Sequence, residues 1–121
     1  CILGNSFPVS KGEQIRDFCF VSDIVDGIIK TLLNKNSFGE IINLASGNPI
    51  KIKSIISLVQ DQIGKGKPNF GKIAYRKEEN MALFANVAKA HNIIKWKPKT
   101  VLEDGLRKTI ISYKKEFYNE V

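Results

Sequence analysis

The sequence holds only two cysteines, Cys1 and Cys19, and a single histidine, His91. A disulfide framework and a multi-histidine metal site both need more than that. With so few thiols, a reducing cytoplasm is the expected location. Long apolar runs are also missing, so no segment is expected to span a bilayer. No charged stretch leads into an apolar one in the manner of a secretion signal. No G-x-G-x-x-G turn follows a strand pattern, and there is no G-K-[ST] loop, so no phosphate cradle of either kind is expected. Arginine is scarce. Of the 19 cationic residues only Arg16, Arg76 and Arg107 are Arg.

What is present suits one small domain with one core. There are 121 residues, of which 43% are apolar. The chain starts at Cys1 rather than Met, and it is expected to be a piece of a longer protein. The formal charge of +7 invites a nucleic-acid reading. The cations, however, are mostly Lys scattered singly, whereas duplex readers lean on Arg for bidentate contacts. Nucleic acid is therefore not the expected partner. A small basic module for nucleic acid or protein stands as an alternative in another class.

Residues 1–14 read as loop, from Gly4, Pro8, Ser10 and Gly12. Residues 15–21 alternate like a strand. Ser22 is placed to cap a helix, with Asp23 and Asp26 in its first turn. Ile24, Ile28 and Leu32, with Val25, Ile29 and Leu33, predict a helix buried on a broad face and ending near Asn34 and Lys35. Asn36 to Glu40 is a turn around Gly39. Ile41 to Ala45 is a short apolar run suited to a strand buried on both sides, and 46–49 is turn chemistry. Ile52, Ile55, Ile56, Val59 and Ile63 mark a helix stopped by Gly64. Residues 64–71 read as loop and 73–76 as a short strand. Asn86 is placed to cap a brief helix through Asn92. Thr100 and Glu103 have capping-box spacing before a last helix lined by Leu102, Leu106, Ile110, Tyr113 and Phe117. Strands alternating with helices predict an α/β fold with a narrow sheet.

Few residues offer chemistry. His91 has no partner in sequence to orient it and reads as a surface residue. Asp17, Asp23 and Asp26 form a carboxylate cluster, but Asp23 and Asp26 suit a helix start. Tyr75, Tyr113 and Tyr118 lack a Lys one turn later on a catalytic helix and read as core or surface. Arg16 and Arg76 stand at the ends of predicted strands, where α/β proteins place ligand contacts. A guanidinium there suits either a diphosphate grip or a surface ion pair.

The string Gly12-Glu13-Gln14-Ile15-Arg16-Asp17-Phe18-Cys19-Phe20-Val21-Ser22-Asp23-Ile24-Val25 resembles the G-x-Q-x-R-D-F-x-x-V-x-D-V-V segment of the extended short-chain dehydrogenase/reductase family. These are the NAD-dependent epimerases and dehydratases of nucleotide sugars. Four further likenesses follow in order. Ile42 to Ile50 is similar to F-N-L-G-S-G-x-P-x. Arg76-Lys77-Glu78-Glu79 falls where the family has R-x-G-E or R-x-G-D. Ile94 to Pro98 resembles L-G-W-x-P, and Leu102 to Ile110 resembles L-x-E-G-L-x-x-T-I. Together they cover residues 12 to 118.

The resemblance implies the C-terminal part of such an enzyme, the last strand of the Rossmann sheet plus a small α/β substrate-binding domain. Residues 1–121 would be the nucleotide-sugar-binding region, with 41–63 packing on a Rossmann domain outside this chain. Arg16 and Arg76 would hold the diphosphate, and Glu79 would lie near the ribose and base. NAD and the Tyr-x-x-x-Lys catalytic pair would belong to the N-terminal half. No catalytic, cofactor-binding or metal-binding residue is expected within the chain, which alone would be inactive. The parent is expected to be a homodimer in bacterial surface-polysaccharide synthesis. An NADP-dependent deoxysugar ketoreductase is an alternative within the family. Ala45, Glu78 and Lys95 stand at family glycine positions, which predicts strain wherever φ is positive. Lys51 stands where a Ser or Thr helix cap is usual.

Overall fold

The structure is a computed structural model that describes residues 1–119, with side chains through residue 116. Its regular elements are β1 (Ser6–Pro8), β2 (Ile15–Arg16), α1 (Val21–Leu33), a 3-10 turn (Lys35–Ser37), β3 (Ile50–Lys51), α2 (Ile52–Ile63), β4 (Lys67–Asn69), β5 (Ala82–Leu83), α3 (Ala88–Ile94) and α4 (Leu102–Asn119). The four helices match the expected periodic segments closely. The strands do not.

Two small sheets form. β1 and β4 pair in parallel, inside the two stretches expected to be loop. β2 lies between β3, antiparallel, and β5, parallel. The strand expected over 15–21 is cut to Ile15–Arg16, because Val21 already begins α1. Residues 73–76 form no strand, and the pairing partner comes from Ala82–Leu83 instead. Ile41 to Ala45 also carries no strand pairing among the described residues. It still alternates, with Ile42 and Leu44 packed on the core and Ile41 84% exposed. Burial on one side, where two were expected, follows from the lack of a described neighbour to pair with.

The core is small. Ala90, Ile94 and Trp96 are buried together, with Cys19, Ile42, Leu44 and Ile93 packed around them. α1 presents Gly27 to this core. A Cβ there would come within 2.9 Å of the Leu44 side chain and 3.0 Å of Trp96, so glycine permits the close approach. The expected burial of the broad apolar face of α1 is overturned. Its buried positions are Asp23 and Gly27, while Val21, Val25, Ile28, Ile29, Leu32 and Leu33 are exposed. The apolar stripe has no packing partner among the described residues, so the helix sits on its small and polar side.

The helix ends also depart in detail. Ser22 does not cap α1, since Phe20 holds the N-cap place without a side-chain bond. Thr100 does not act as the expected cap of α4. Its backbone N–H donates to the Asp23 carboxylate at 2.9 Å, and α4 begins at Leu102. Asp23 is buried. Burial alone would raise its pKa, but hydrogen bonds from the backbone and hydroxyl of Thr100 and the backbone of Lys99 outweigh that and hold it below the usual carboxylate range. Asp23 is thus a clamp between α1 and the entry to α4, and more than a partner of the helix dipole. Gly64 closes α2 as expected, with φ 72°. Asn86 accepts the Ala88 N–H at 2.9 Å at the start of α3. α4 lays Ile110 in the interior and packs against α2. The Phe117 and Tyr118 side chains lie outside the described residues.

Among the described residues no helix is long and apolar enough to cross a membrane.

Candidate functional site

β2 carries Arg16, and the β2–β5 pairing brings residues near position 80 beside it. The Ile15 N–H donates to the Met81 carbonyl at 2.8 Å. This places Glu79 against Arg16, although 63 residues separate them. Arg16 Nη2 donates to Glu79 Oε1 at 2.8 Å, and Arg16 Nη1 donates to the Ile15 carbonyl at 2.8 Å. The two side chains are 25% and 19% exposed, so the pair is shielded more than an ordinary surface bridge. Of the two readings left open for Arg16, an ion pair is present. It also orients the guanidinium and leaves donors unspent.

Arg76 joins them through the backbone. The Glu79 N–H donates to the Arg76 carbonyl at 3.1 Å, closing a turn. Arg76 is exposed, and among the described residues no carboxylate lies within ion-pairing distance of it. The three residues expected from the sequence thus gather in one place, two joined directly and the third at the head of the same turn. Glu78, at a family glycine position, has no positive φ, so no strain arises there.

Around this group the chain is tied by polar contacts. The Glu13 N–H donates to Tyr75 Oη at 3.0 Å. The Glu13 carboxylate takes Lys51 Nζ at 2.7 Å on one oxygen and Lys53 Nζ at 2.6 Å on the other. These two lysine hydrogen bonds lower the Glu13 pKa from 4.5 to about 2. Lys51 occupies the N-cap place of α2 without capping it. Instead the Gln14 and Gly12 carbonyls accept the N–H groups of Ile52 and Lys53, each at 2.9 Å. The first donors of α2 are satisfied by the strand beside them, so a Ser or Thr cap is not required. Gly12 has φ 71°, and a Cβ on it would meet Lys53 at 2.8 Å.

Asp17 follows the same logic. Its two oxygens accept the Ser46 and Gly47 N–H groups, each at 2.8 Å, and hold the turn after residues 41–45. Sequence reasoning put Asp17 in a carboxylate cluster with Asp23 and Asp26, and the contacts of Asp17 and Asp23 divide them into separate structural tasks. His91 is exposed. Tyr75 is half-buried, and its bond to Glu13 was not legible in sequence because the partner is a backbone atom 62 residues away.

Cavities lie elsewhere. One of about 410 Å³ is bounded by Phe18, Asn48, Pro49, Lys99 and Val101. An apolar groove of about 370 Å³ runs between α2 and α4, past Ile56, Val59, Leu106 and Ile110. Arg16, Arg76 and Glu79 line neither.

A family model described as GDP-mannose 4,6 dehydratase matches residues 3–109. A UDP-glucuronate 4-epimerase of Thermodesulfobacterium geofontis is 37% identical over 100 residues, covering 82% of this chain and 30% of the relative. The crystal structure of a UDP-glucuronic acid 4-epimerase from Bacillus cereus, in complex with NAD, superposes with TM-score 0.71 at 28% identity, over 88% of this chain and 32% of that one. A UDP-glucose 4-epimerase from Thermotoga maritima, solved with UDP-glucose, shares the fold with TM-score 0.87 at 23% identity, over 96% of this chain and 37% of that one. The chain thus spans about a third of the length of these relatives and corresponds to their C-terminal part.

Proposed function

Because this chain belongs to the GDP-mannose 4,6-dehydratase family of NAD-dependent nucleotide-sugar epimerases and dehydratases, we propose that it is the nucleotide-sugar-binding part of such an enzyme. Arg16 and Arg76 grip the diphosphate, and Glu79 orients Arg16 and faces the ribose and base. The observation that carries this reading is the gathering of Arg16, Arg76 and Glu79 across more than sixty residues of sequence. A guanidinium fixed by a carboxylate and a carbonyl is pre-organised, and it keeps donors for a second anion.

A dinucleotide does not fit the residues present. No Gly-rich turn links a strand to a helix here; Gly64 and Gly66, the two positive-φ glycines that stand close together, lead from helix α2 into strand β4. The cofactor's site belongs to the remainder of the parent. The chain's own share is to hold the nucleotide so that the sugar is presented in one orientation. Alone it turns nothing over.

The same reading sets residues 41–63 against that remainder. Supporting it is Ile41, which stands 84% exposed and is suited to burial. The wider setting, a homodimeric enzyme of bacterial surface-polysaccharide synthesis, rests on the resemblance alone.

Calorimetric titration of the complete gene product with UDP, GDP, CDP and dTDP tests the reading. At least one should bind. Arg16→Ala or Arg76→Ala should then weaken binding about 10- to 100-fold, the worth of a hydrogen bond to a charged group. Unchanged affinity in both variants would sink the proposal.

A further inference from the structure

We infer that Tyr75 is a positioning residue for Arg76, acting through its hydroxyl bond to the Glu13 backbone; this rests on the nucleotide-binding reading above.

Between β4 and β5 the chain has little packing of its own. From Gly71 to Met81 every residue is exposed except Tyr75 and Glu79, which are half-buried. Those two side chains are also the ones that tie this stretch to the segment bearing Arg16. Glu79 holds Arg16 at 2.8 Å, and Tyr75 Oη accepts the Glu13 N–H at 3.0 Å. Arg76 lies between the two ties, next to Tyr75 in the chain. Its side chain has no ion-pair partner among the described residues. Its placement relative to Arg16 therefore comes from the backbone, and the backbone is held at both ends.

The Glu13 end is itself anchored. Its carboxylate is pinned by Lys51 and Lys53 at the start of α2, so the N–H that reaches Tyr75 projects from a fixed point. Removing the phenolic oxygen leaves the ring and its packing, and leaves the Lys72 and Ile73 N–H groups on the Val9 carbonyl at 3.0 and 3.1 Å, but frees the turn that follows them toward Arg76. Arg76 then samples more positions, and each diphosphate bound must bear the cost of ordering it. Glu79 still orients Arg16, so one arm of the grip survives.

Tyr75→Phe in the complete gene product tests this against UDP, GDP, CDP and dTDP, beside Arg76→Ala and the double variant. Tyr75→Phe should weaken binding of the accepted nucleotide about three- to ten-fold, the worth of one neutral hydrogen bond. In the Arg76→Ala background it should weaken binding no further, because the residue through which it acts is gone. With the matching nucleotide sugar, KM should rise in the same proportion while kcat holds. Equal losses in both backgrounds would make Tyr75 a merely structural residue and overturn the inference. No loss from Tyr75→Phe, with Arg76→Ala still weakening binding, would overturn it and leave the nucleotide reading standing. No loss from either Arg76→Ala or Arg16→Ala would overturn both. A thermal melt without nucleotide checks that Tyr75→Phe is folded at the titration temperature; a variant already unfolded there would make the residue structural and overturn the positioning role.

Discussion

The segments around Arg16 and around α1 are built on opposite principles. Near Arg16 the polar groups find partners within the chain: Glu79 for Arg16, Tyr75 for the Glu13 backbone, Lys51 and Lys53 for the Glu13 carboxylate. Helix α1 turns its apolar stripe outward, with Leu32 72% and Leu33 81% exposed, and Phe38 and Ile41, which follow it in sequence, are exposed as well. The first region is largely paired within the chain, although among the described residues Gln14 Oε1 and the Arg76 guanidinium have no such partner. The second has surface that water solvates poorly and that no described residue covers. Directional polar contacts are short-ranged and can be satisfied locally, whereas apolar area stabilises only when something large lies against it. The Arg16–Glu79 pair of the proposed diphosphate site is thus preformed in a chain whose apolar face has no described partner.

The largest expected effect tests that unpartnered face. Leu32→Lys combined with Leu33→Glu should leave the stability of this chain within about 0.5 kcal/mol, as for exposed positions generally. We expect this chain to self-associate through the stripe when measured by sedimentation, and the variant to do so markedly less. A large loss of stability would mean that the stripe is already packed, and the contrast between the regions would fail.

A smaller effect lies at the joint behind α1. Lys95 has φ 52° and ψ 38° at the end of α3, just before the buried Trp96. A side chain in that left-handed conformation costs about 1–2 kcal/mol, partly offset by the stiffer unfolded chain that any non-glycine residue gives. Lys95→Gly should therefore stabilise by about 0.5–1 kcal/mol in denaturant titration. A destabilised variant would show that the Lys95 side chain makes a contact worth more than the strain.

The smallest effect concerns the polar region and pH. The folded state lowers the Glu13 pKa from 4.5 to about 2. A lowered carboxylate pKa contributes stability that is full above about pH 4.5 and is lost as pH falls toward 2. Glu13→Gln should flatten that part of the acid limb, with stability slightly below the parent's above about pH 4.5 and converging with it toward pH 2. The pair is solvent-exposed, so the difference should shrink further in high salt. Identical acid limbs would remove the two lysines as its cause.

The helices and the glycine-bearing turns were legible because their causes are local. Residues 52–63 repeat at helical spacing and stop at a glycine that takes positive φ, and a turn does form around Gly39. Strands were not legible, because two- and three-residue pairings depend on which distant segment arrives beside them. The stripe on α1 was read correctly as apolar and wrongly as buried: periodicity reveals a face but not what covers it. Thr100 had the spacing of a cap, yet buried Asp23 claimed its N–H from 77 residues away.

The candidate site divides in the same way. Arg16 and Arg76 stand out by scarcity and by motif likeness, and Glu79 by motif likeness alone, all properties of the linear chain. That Glu79 pairs with Arg16, that Asp17 holds the Ser46–Gly47 turn, and that Tyr75 ties its loop to Glu13 were decided only when β2 met β3 and β5. Residue identity and spacing determined the helices, the turns and the charged groups available, since those follow from neighbours along the chain. Tertiary structure decided the partners, because a hydrogen bond needs two groups within about 3 Å, and spacing in sequence does not say which distant groups will come that close.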